Sequence, residues 1–216
     1  MKDFAVIGLG NFGATVARTL AGLECRVTAI DAVRERLDLV EQQADVAIHA
    51  NATDRKFIES IEPSKFDCFI VSTGTDEHAS ILITLYLKEL KAEKIIVKAN
   101  SPDHARILMK VGADEALIPE EKMAFKLAHS LARPNMIDHL PLTAGFYVVE
   151  ITAPEKFIGK TLSELDIRAK YGIQIVAVQN SRSGDLNLVP YGLYRIQESD
   201  ILFVIGKGED IDKLKD

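Results

Sequence analysis

One stretch constrains this chain more than any other. Phe4-Ala5-Val6-Ile7 runs straight into Gly8-Leu9-Gly10-Asn11-Phe12-Gly13, and apolar residues then recur at helical spacing to Leu23. An apolar segment followed by Gly-x-Gly-x-x-Gly and a helix is the start of a βαβ unit. Gly8 supplies a tight turn, Gly10 lets a phosphate approach bare backbone, and Gly13 lets the helix lie close to the strand. The first-turn N–H groups of that helix, from Asn11 and Phe12 onward, have no internal partners and sit at its positive end, which suits a phosphate. Cys25 to Ile30 reads as the second strand and ends in Asp31. A carboxylate there can accept hydrogen bonds from a ribose 2′-hydroxyl and would repel a 2′-phosphate. A tight turn beside a surface acid is the plainer alternative; the spacing favours a dinucleotide or adenine nucleotide site.

The alternation continues. Helical spacing over Val33–Gln42 is followed by a strand at Val46–His49 and a polar loop, Ala50 to Asp54, in which Thr53 or Asp54 can cap a helix through Ile61. Further strands fall at Cys68–Val71, Lys94–Lys98 and Glu115–Ile118, with helices to about Leu90 and over Pro102–Val111, the latter stopped by Gly112. Short apolar strands alternating with amphipathic helices predict an α/β fold, a Rossmann-like doubly wound parallel sheet covered on both faces. Ligands of such sheets lie beyond the strand C-termini. Gly8 to Gly13, Asp31, Asn51-Ala52-Thr53, Ser72-Thr73-Gly74 and Lys98 all follow strand ends, so five loops are expected to converge on one crevice.

Pro119 starts a helix through about Ala132, and Pro134 and Pro141 bracket an expected linker. Beyond Gly145 the pattern changes to strands at Phe146–Ile151, Ile173–Gln179, Leu186–Val189 and Ile201–Ile205, with helical pieces at Leu162–Tyr171 and Asp210–Lys215. The expected organisation is therefore a nucleotide-binding domain over 1–134, including the crossover helix, and a small α+β subdomain over 135–216.

Composition excludes several classes. The net charge of -6 argues against nucleic-acid binding and, with no basic recognition helix, against a redox-sensing repressor. The longest apolar run, Ile81 to Leu87, is too short to span a bilayer, and Met1-Lys2-Asp3 leads directly into the first strand, which predicts no signal peptide. Cys25 and Cys68 lack metal-ligand spacing and read as buried, reduced thiols. Catalytic apparatus is missing too. The five histidines, His49, His78, His104, His129 and His139, are scattered, and His78 is the best acid/base candidate against an ordinary place on a helix surface. An NAD-dependent oxidoreductase on the same fold is the alternative from a different class. Glu120, behind Pro119 at a helix start, either meets the helix dipole or ligates a divalent cation. Lys98 is either a phosphate or ribose partner or a strand-end charge.

Phe4 to Gly10, Asp31, Asn51-Ala52-Thr53, Lys98-Ala99, Ile118-Pro119-Glu120 and Ile167-Arg168-Ala169-Lys170-Tyr171-Gly172 together resemble the RCK (KTN) regulatory proteins of bacterial potassium uptake, over essentially the whole chain. The last motif is the most specific. The resemblance implies a nonenzymatic cytosolic regulator, peripheral to the inner face of the membrane. ATP or ADP, with NAD or NADH as the alternative, would occupy the crevice and control potassium flux through an integral-membrane subunit. It also implies homodimers, pairing across Phe125 and its helix, that assemble into an octameric ring, with Glu120 at the position for Mg²⁺ or Ca²⁺ in the dimer interface. Some relatives bind cyclic di-AMP between C-terminal subdomains, where Arg168, Ile173, Ile175 and Pro190 could line the cleft; a plain apolar dimer interface with Arg168 in a salt bridge is the competing reading. One departure stands out: members commonly have arginine after Gly-x-Gly, and here it is Asn11.

Overall fold

The computed structural model describes residues 1–132, 136–143 and 145–214. The chain divides into two compact units, Met1–Glu121 and Lys122–Asp216. The boundary expected at 134/135 falls among residues outside the described ones.

In the first unit, β1 (Asp3–Ile7), α1 (Asn11–Gly22), β2 (Arg26–Asp31), α2 (Arg34–Leu37), β3 (Val46–His49) and α3 (Arg55–Ser60) make one half of the sheet. The other half comprises β4 (Cys68–Val71), α4 (Glu77–Glu89), β5 (Ile95–Lys98), α5 (Pro102–Val111) and β6 (Glu115–Leu117). All six strands pair in parallel in the order β3-β2-β1-β4-β5-β6. The order reverses between β1 and β4, which is where a doubly wound sheet opens a crevice. Alternation along β1 shows why both faces are covered: Ala5 and Ile7 join one core with Phe69, Ile83, Leu87 and Leu108, while Val6 joins another with Leu9, Ala14, Ala17 and Leu37. A strand buried on both sides has no need of polar alternation, hence the unbroken apolar run.

The expected helix over Val33–Gln42 is a correction. Only Arg34–Leu37 is helical; beyond it Leu39 and Val40 bond back three residues, to Arg36 and Leu37. Val33 occupies the N-cap, has no side chain to accept an orphan N–H, and is exposed, while Leu37 and Val40 are buried. Two anchors three residues apart are met by tight turns as well as by a helix.

The α6 helix (Pro119–Ala132) begins at the end of the first unit and carries the chain into the second. There β7 (Met136–Thr143), β8 (Phe146–Thr152), α7 (Leu162–Leu165), α8 (Ile167–Tyr171), β9 (Gln174–Asn180), β10 (Leu186–Leu188), β11 (Asp200–Lys207) and α9 (Gly208–Ile211) form a five-stranded antiparallel sheet, order β10-β9-β11-β8-β7, with short helices. The expected linker is thus partly a strand: β7 pairs with β8 from Met136↔Ile151 to Thr143↔Phe146. It lies at the sheet edge, where a proline lacking its N–H is tolerated. Phe157, Ile173, Ile196, Leu202 and Val204 fill the core of this unit. No helix among the described residues is long and apolar enough to cross a membrane.

Candidate functional site

Two of the three fingerprint glycines are required by the fold itself. Gly8 has φ +88, and a Cβ on it would stand 2.1 Å from the Ser72 carbonyl oxygen. A Cβ on Gly13 would stand 1.9 Å from the Gly8 carbonyl oxygen. These contacts are backbone against backbone, so nothing nearby can rotate away. Gly10 differs: its φ is -64, and a Cβ there would meet nothing within 4 Å. No neighbour within the chain requires a glycine at that position.

Gly10 is the N-cap of α1 and supplies no side-chain acceptor. By contrast Asp54, Asp76 and Ser101 cap α3, α4 and α5 by accepting hydrogen bonds from Lys56, Ala79 and His104 N–H. The first-turn donors of α1 therefore face space without a side-chain acceptor, at the end of the helix where an anion is favoured.

Beside this turn lies a cavity of about 330 Å³ lined by residues that include Gly8, Asp31, Asn51, Ala52, Thr53 and Thr73. Asp31 is 5% exposed. Its carboxylate accepts hydrogen bonds from the N–H of Leu9 at 2.6 Å and of Val33 at 2.8 Å, and Arg36 lies 3.7 Å from it. Asp31 thus ties the glycine turn to the end of β2 before any ligand arrives. With about four lone-pair positions on a carboxylate, it keeps acceptor capacity for a ribose hydroxyl. The Asn51 side-chain oxygen accepts from both the N–H and the hydroxyl of Thr53, at 3.0 and 2.8 Å, which fixes the next loop as an Asx turn. Asp54, not Thr53, caps α3.

The remaining expected residues do not line this cavity. Asn11, Phe12 and Gly13 belong to the first turn of α1. The Ser72 N–H bonds the Ile7 carbonyl, and the Ser72 carbonyl presses on Gly8. Gly74 takes a positive φ in the loop before α4. Lys98 is 15% exposed in its side chain, and its Nζ stands 2.5 Å from Glu120 Oε1. That hydrogen bond is the main reason the Glu120 carboxyl titrates below its ordinary range. The two residues expected to meet a phosphate and a divalent cation therefore meet each other. Among the described residues no group of three or more His, Cys, Asp or Glu converges as a metal site. Among the described residues, the groups around Glu120 in one chain do not by themselves make a divalent-cation site.

Arg36 and Asp76 line the cavity without having been expected there. Arg36 follows Asp31 by five residues on a strongly charged turn, and sequence offers no sign that it folds back. Asp76 ends the loop before α4, and the structure shows it capping that helix.

In the second unit, Arg168, Ile173, Ile175 and Pro190 come together around a pocket of about 290 Å³ that also includes Ser163 and Asp166. Among the described residues no ion pair engages Arg168.

Residues 4–119 match the TrkA-N domain and residues 146–216 the TrkA-C domain. The chain is 39% identical over 214 residues to Ktr system potassium uptake protein C of Bacillus subtilis (strain 168), covering 99% of this chain and 96% of that protein. Identity to Ktr system potassium uptake protein A of the same organism is 36%, again over 99% and 96%. Among solved structures, the GsuK RCK domain matches with a TM-score of 0.67 at 18% identity, over 99% of this chain and 47% of that one, a likeness of fold.

Proposed function

The chain belongs to the family of potassium-uptake regulatory subunits built from a TrkA-N and a TrkA-C domain, and from that premise we propose that it senses an adenine nucleotide in the crevice at Gly10. It is a regulatory subunit of a Ktr-type potassium uptake system, not an enzyme, and the oxidoreductase reading is set aside. ATP or ADP is the ligand of first choice and NAD(H) the second. The observation that carries the reading is Gly10: an open, uncapped helix start whose missing side chain no neighbour within the chain requires. Phosphates over those N–H groups and a ribose against Asp31 would use both features at once.

Copies of the chain pair and close into an octameric ring, in the cytoplasm, beneath an integral-membrane potassium-conducting subunit. The nucleotide acts by population shift, binding one ring state more tightly than the other. Mg²⁺ or Ca²⁺ at Glu120 would need oxygen ligands from a second copy, since within one chain the Glu120 carboxylate is already held by Lys98. The pocket at Arg168 is the candidate for cyclic di-AMP, its apolar wall of Ile173 and Ile175 facing the bases and Arg168 a phosphate.

Mass spectrometry of whatever copurifies, followed by calorimetric titration of ATP, ADP and NADH, tests the crevice. Potassium flux through vesicles holding the membrane subunit tests the regulation. Flux that ignores every nucleotide while the protein remains bound would refute the proposal.

A further inference from the structure

A second pocket in the TrkA-C unit collects positive charge. It encloses about 530 Å³ and is lined by Lys156, Lys160, Lys170 and Arg195, with Glu164 as its one acid. The apolar part of the lining is Phe157, Leu165 and Tyr171, and the Tyr171 ring meets Phe157 edge-on at 5.6 Å. The arrangement stands out in a chain whose net charge is -6.

Ordinary pairing accounts for only part of it. The Glu164 carboxylate is engaged in the capping box of α7, accepting the Thr161 N–H at 2.7 Å; this bond chiefly depresses its titration, and the nearby Arg195 and Lys160 charges add to it. Arg195 donates to the Gly159 carbonyl oxygen, which anchors its guanidinium at the pocket edge. Among the described residues no ion pair engages Lys160 or Lys170. Lys160, Lys170 and Arg195 still outnumber Glu164 around one concavity, and an anion would relieve their mutual repulsion.

The pocket is distinct from the cleft at Arg168, although α8 serves both. Arg168 lines the first, whereas Lys170 and Tyr171 line this one. The motif Arg168-Ala169-Lys170-Tyr171 thus supplies two pockets from one turn and a half of helix.

We propose that the pocket formed by Lys156, Lys160, Lys170 and Arg195 binds a phosphate-bearing anion, either a free phosphate compound or the headgroup of an anionic phospholipid. Arginine offers planar paired donors and lysines offer point charges, the usual combination for phosphate oxygens. The volume falls in the range of small-molecule sites, and Tyr171 with Phe157 supplies an apolar wall for whatever carries the phosphate.

The test uses the full chain with two probes. Inorganic pyrophosphate is titrated calorimetrically, and cosedimentation is measured with phosphatidylcholine vesicles with and without phosphatidylglycerol. Each is repeated on the Lys160→Gln/Lys170→Gln and Lys160→Arg/Lys170→Arg double variants and on Gly10→Val, which isolates any binding at the crevice. Both lysines are exposed, so the variants are expected to melt with the wild type. Pyrophosphate binding that survives Gly10→Val, falls about tenfold or more in the glutamine variant and returns in the arginine variant assigns a free phosphate ligand. Phosphatidylglycerol-dependent sedimentation with the same variant pattern assigns a headgroup. Binding of both probes unchanged by the glutamine pair, binding confined to the crevice, or no binding of either probe would overturn the proposal.

Discussion

Gly10→Val separates what the glycine turn does for the fold from what it does for a ligand. At Gly10 the backbone, φ -64 and ψ -175, is extended and open to any residue, and a Cβ would touch nothing within 4 Å. Losing glycine's unfolded-state freedom stabilises by about 0.4–1 kcal/mol, and replacing glycine at an N-cap by an aliphatic residue costs a similar amount. Folding stability should therefore stay within about 1 kcal/mol of wild type. Binding should not survive. Two or three N–H groups at the start of α1 are the expected phosphate partners, and hydrogen bonds to a charged group contribute about 1.5–3 kcal/mol each. Blocking even two of them weakens ATP, ADP and NADH by more than about a hundredfold. Gly13→Ala is the contrast. Its Cβ would lie 1.9 Å from the Gly8 carbonyl oxygen, a backbone clash beyond the usual overpacking cost of about 1–3 kcal/mol. It should lower the melting temperature by about 10 °C. Thermal unfolding followed by circular dichroism and calorimetric titration read the two quantities separately. A Gly10→Val protein that folds normally and binds nucleotide like wild type would refute the placement of phosphates over this helix.

Asp31→Ala should weaken nucleotide binding by about 1–3 kcal/mol, and it should also destabilise the fold, because the Leu9 and Val33 N–H groups lose their acceptor; unchanged affinity in a folded variant would remove Asp31 from the site. Asn11→Arg should widen the preference for ATP over ADP, which in wild type is expected to stay under about tenfold; paired titrations on both proteins decide it. Burial pushes the Cys68 thiol up to about 11, so at pH 8 a thiol reagent should modify half-buried Cys25 and spare Cys68 until denaturant is added; equal labelling in the native protein would contradict the packing of β4. Glu120 titrates below its ordinary 4.5, chiefly through Lys98. Its contribution is therefore complete above that value and lost as pH falls through the lower folded value; the stability difference between wild type and Glu120→Gln should be flat near neutrality and shrink in acid.

The fold was legible where burial is two-sided or where a cap is local. β4 and α5 fall where the apolar runs and Gly112 put them, because each signal lies within a few residues of its effect. The turn at Gly8 was legible for the same reason. The failures are of another kind. Nothing local to Val33–Gln42 tells that Val33 is exposed while Leu37 and Val40 are buried, since that depends on where the core of the sheet lies. β7 was hidden because prolines read as breakers, and only its edge position makes Pro141 acceptable.

Charge partners were the least legible part, and they bear most on function. Lys98 and Glu120 are 22 residues apart in sequence yet 2.5 Å apart in space. Arg18, nearly two turns along α1 from Asn11, donates to the Leu39 carbonyl oxygen at 3.3 Å. Of the residues lining the crevice, Arg36 alone is cationic, and it leans on Asp31. A chain that brought a phosphate here would therefore meet most of its charge with oriented N–H groups. Backbone dipoles at a helix start hold the diphosphate nearest them and fall off within the first turn, so they favour nucleotides in general and distinguish poorly between two phosphates and three. Discrimination has to come from a cation that reaches the outer phosphate. Lys98 qualifies only if its bond to Glu120 opens, and that exchange is where the energetic difference between two ligands would be decided.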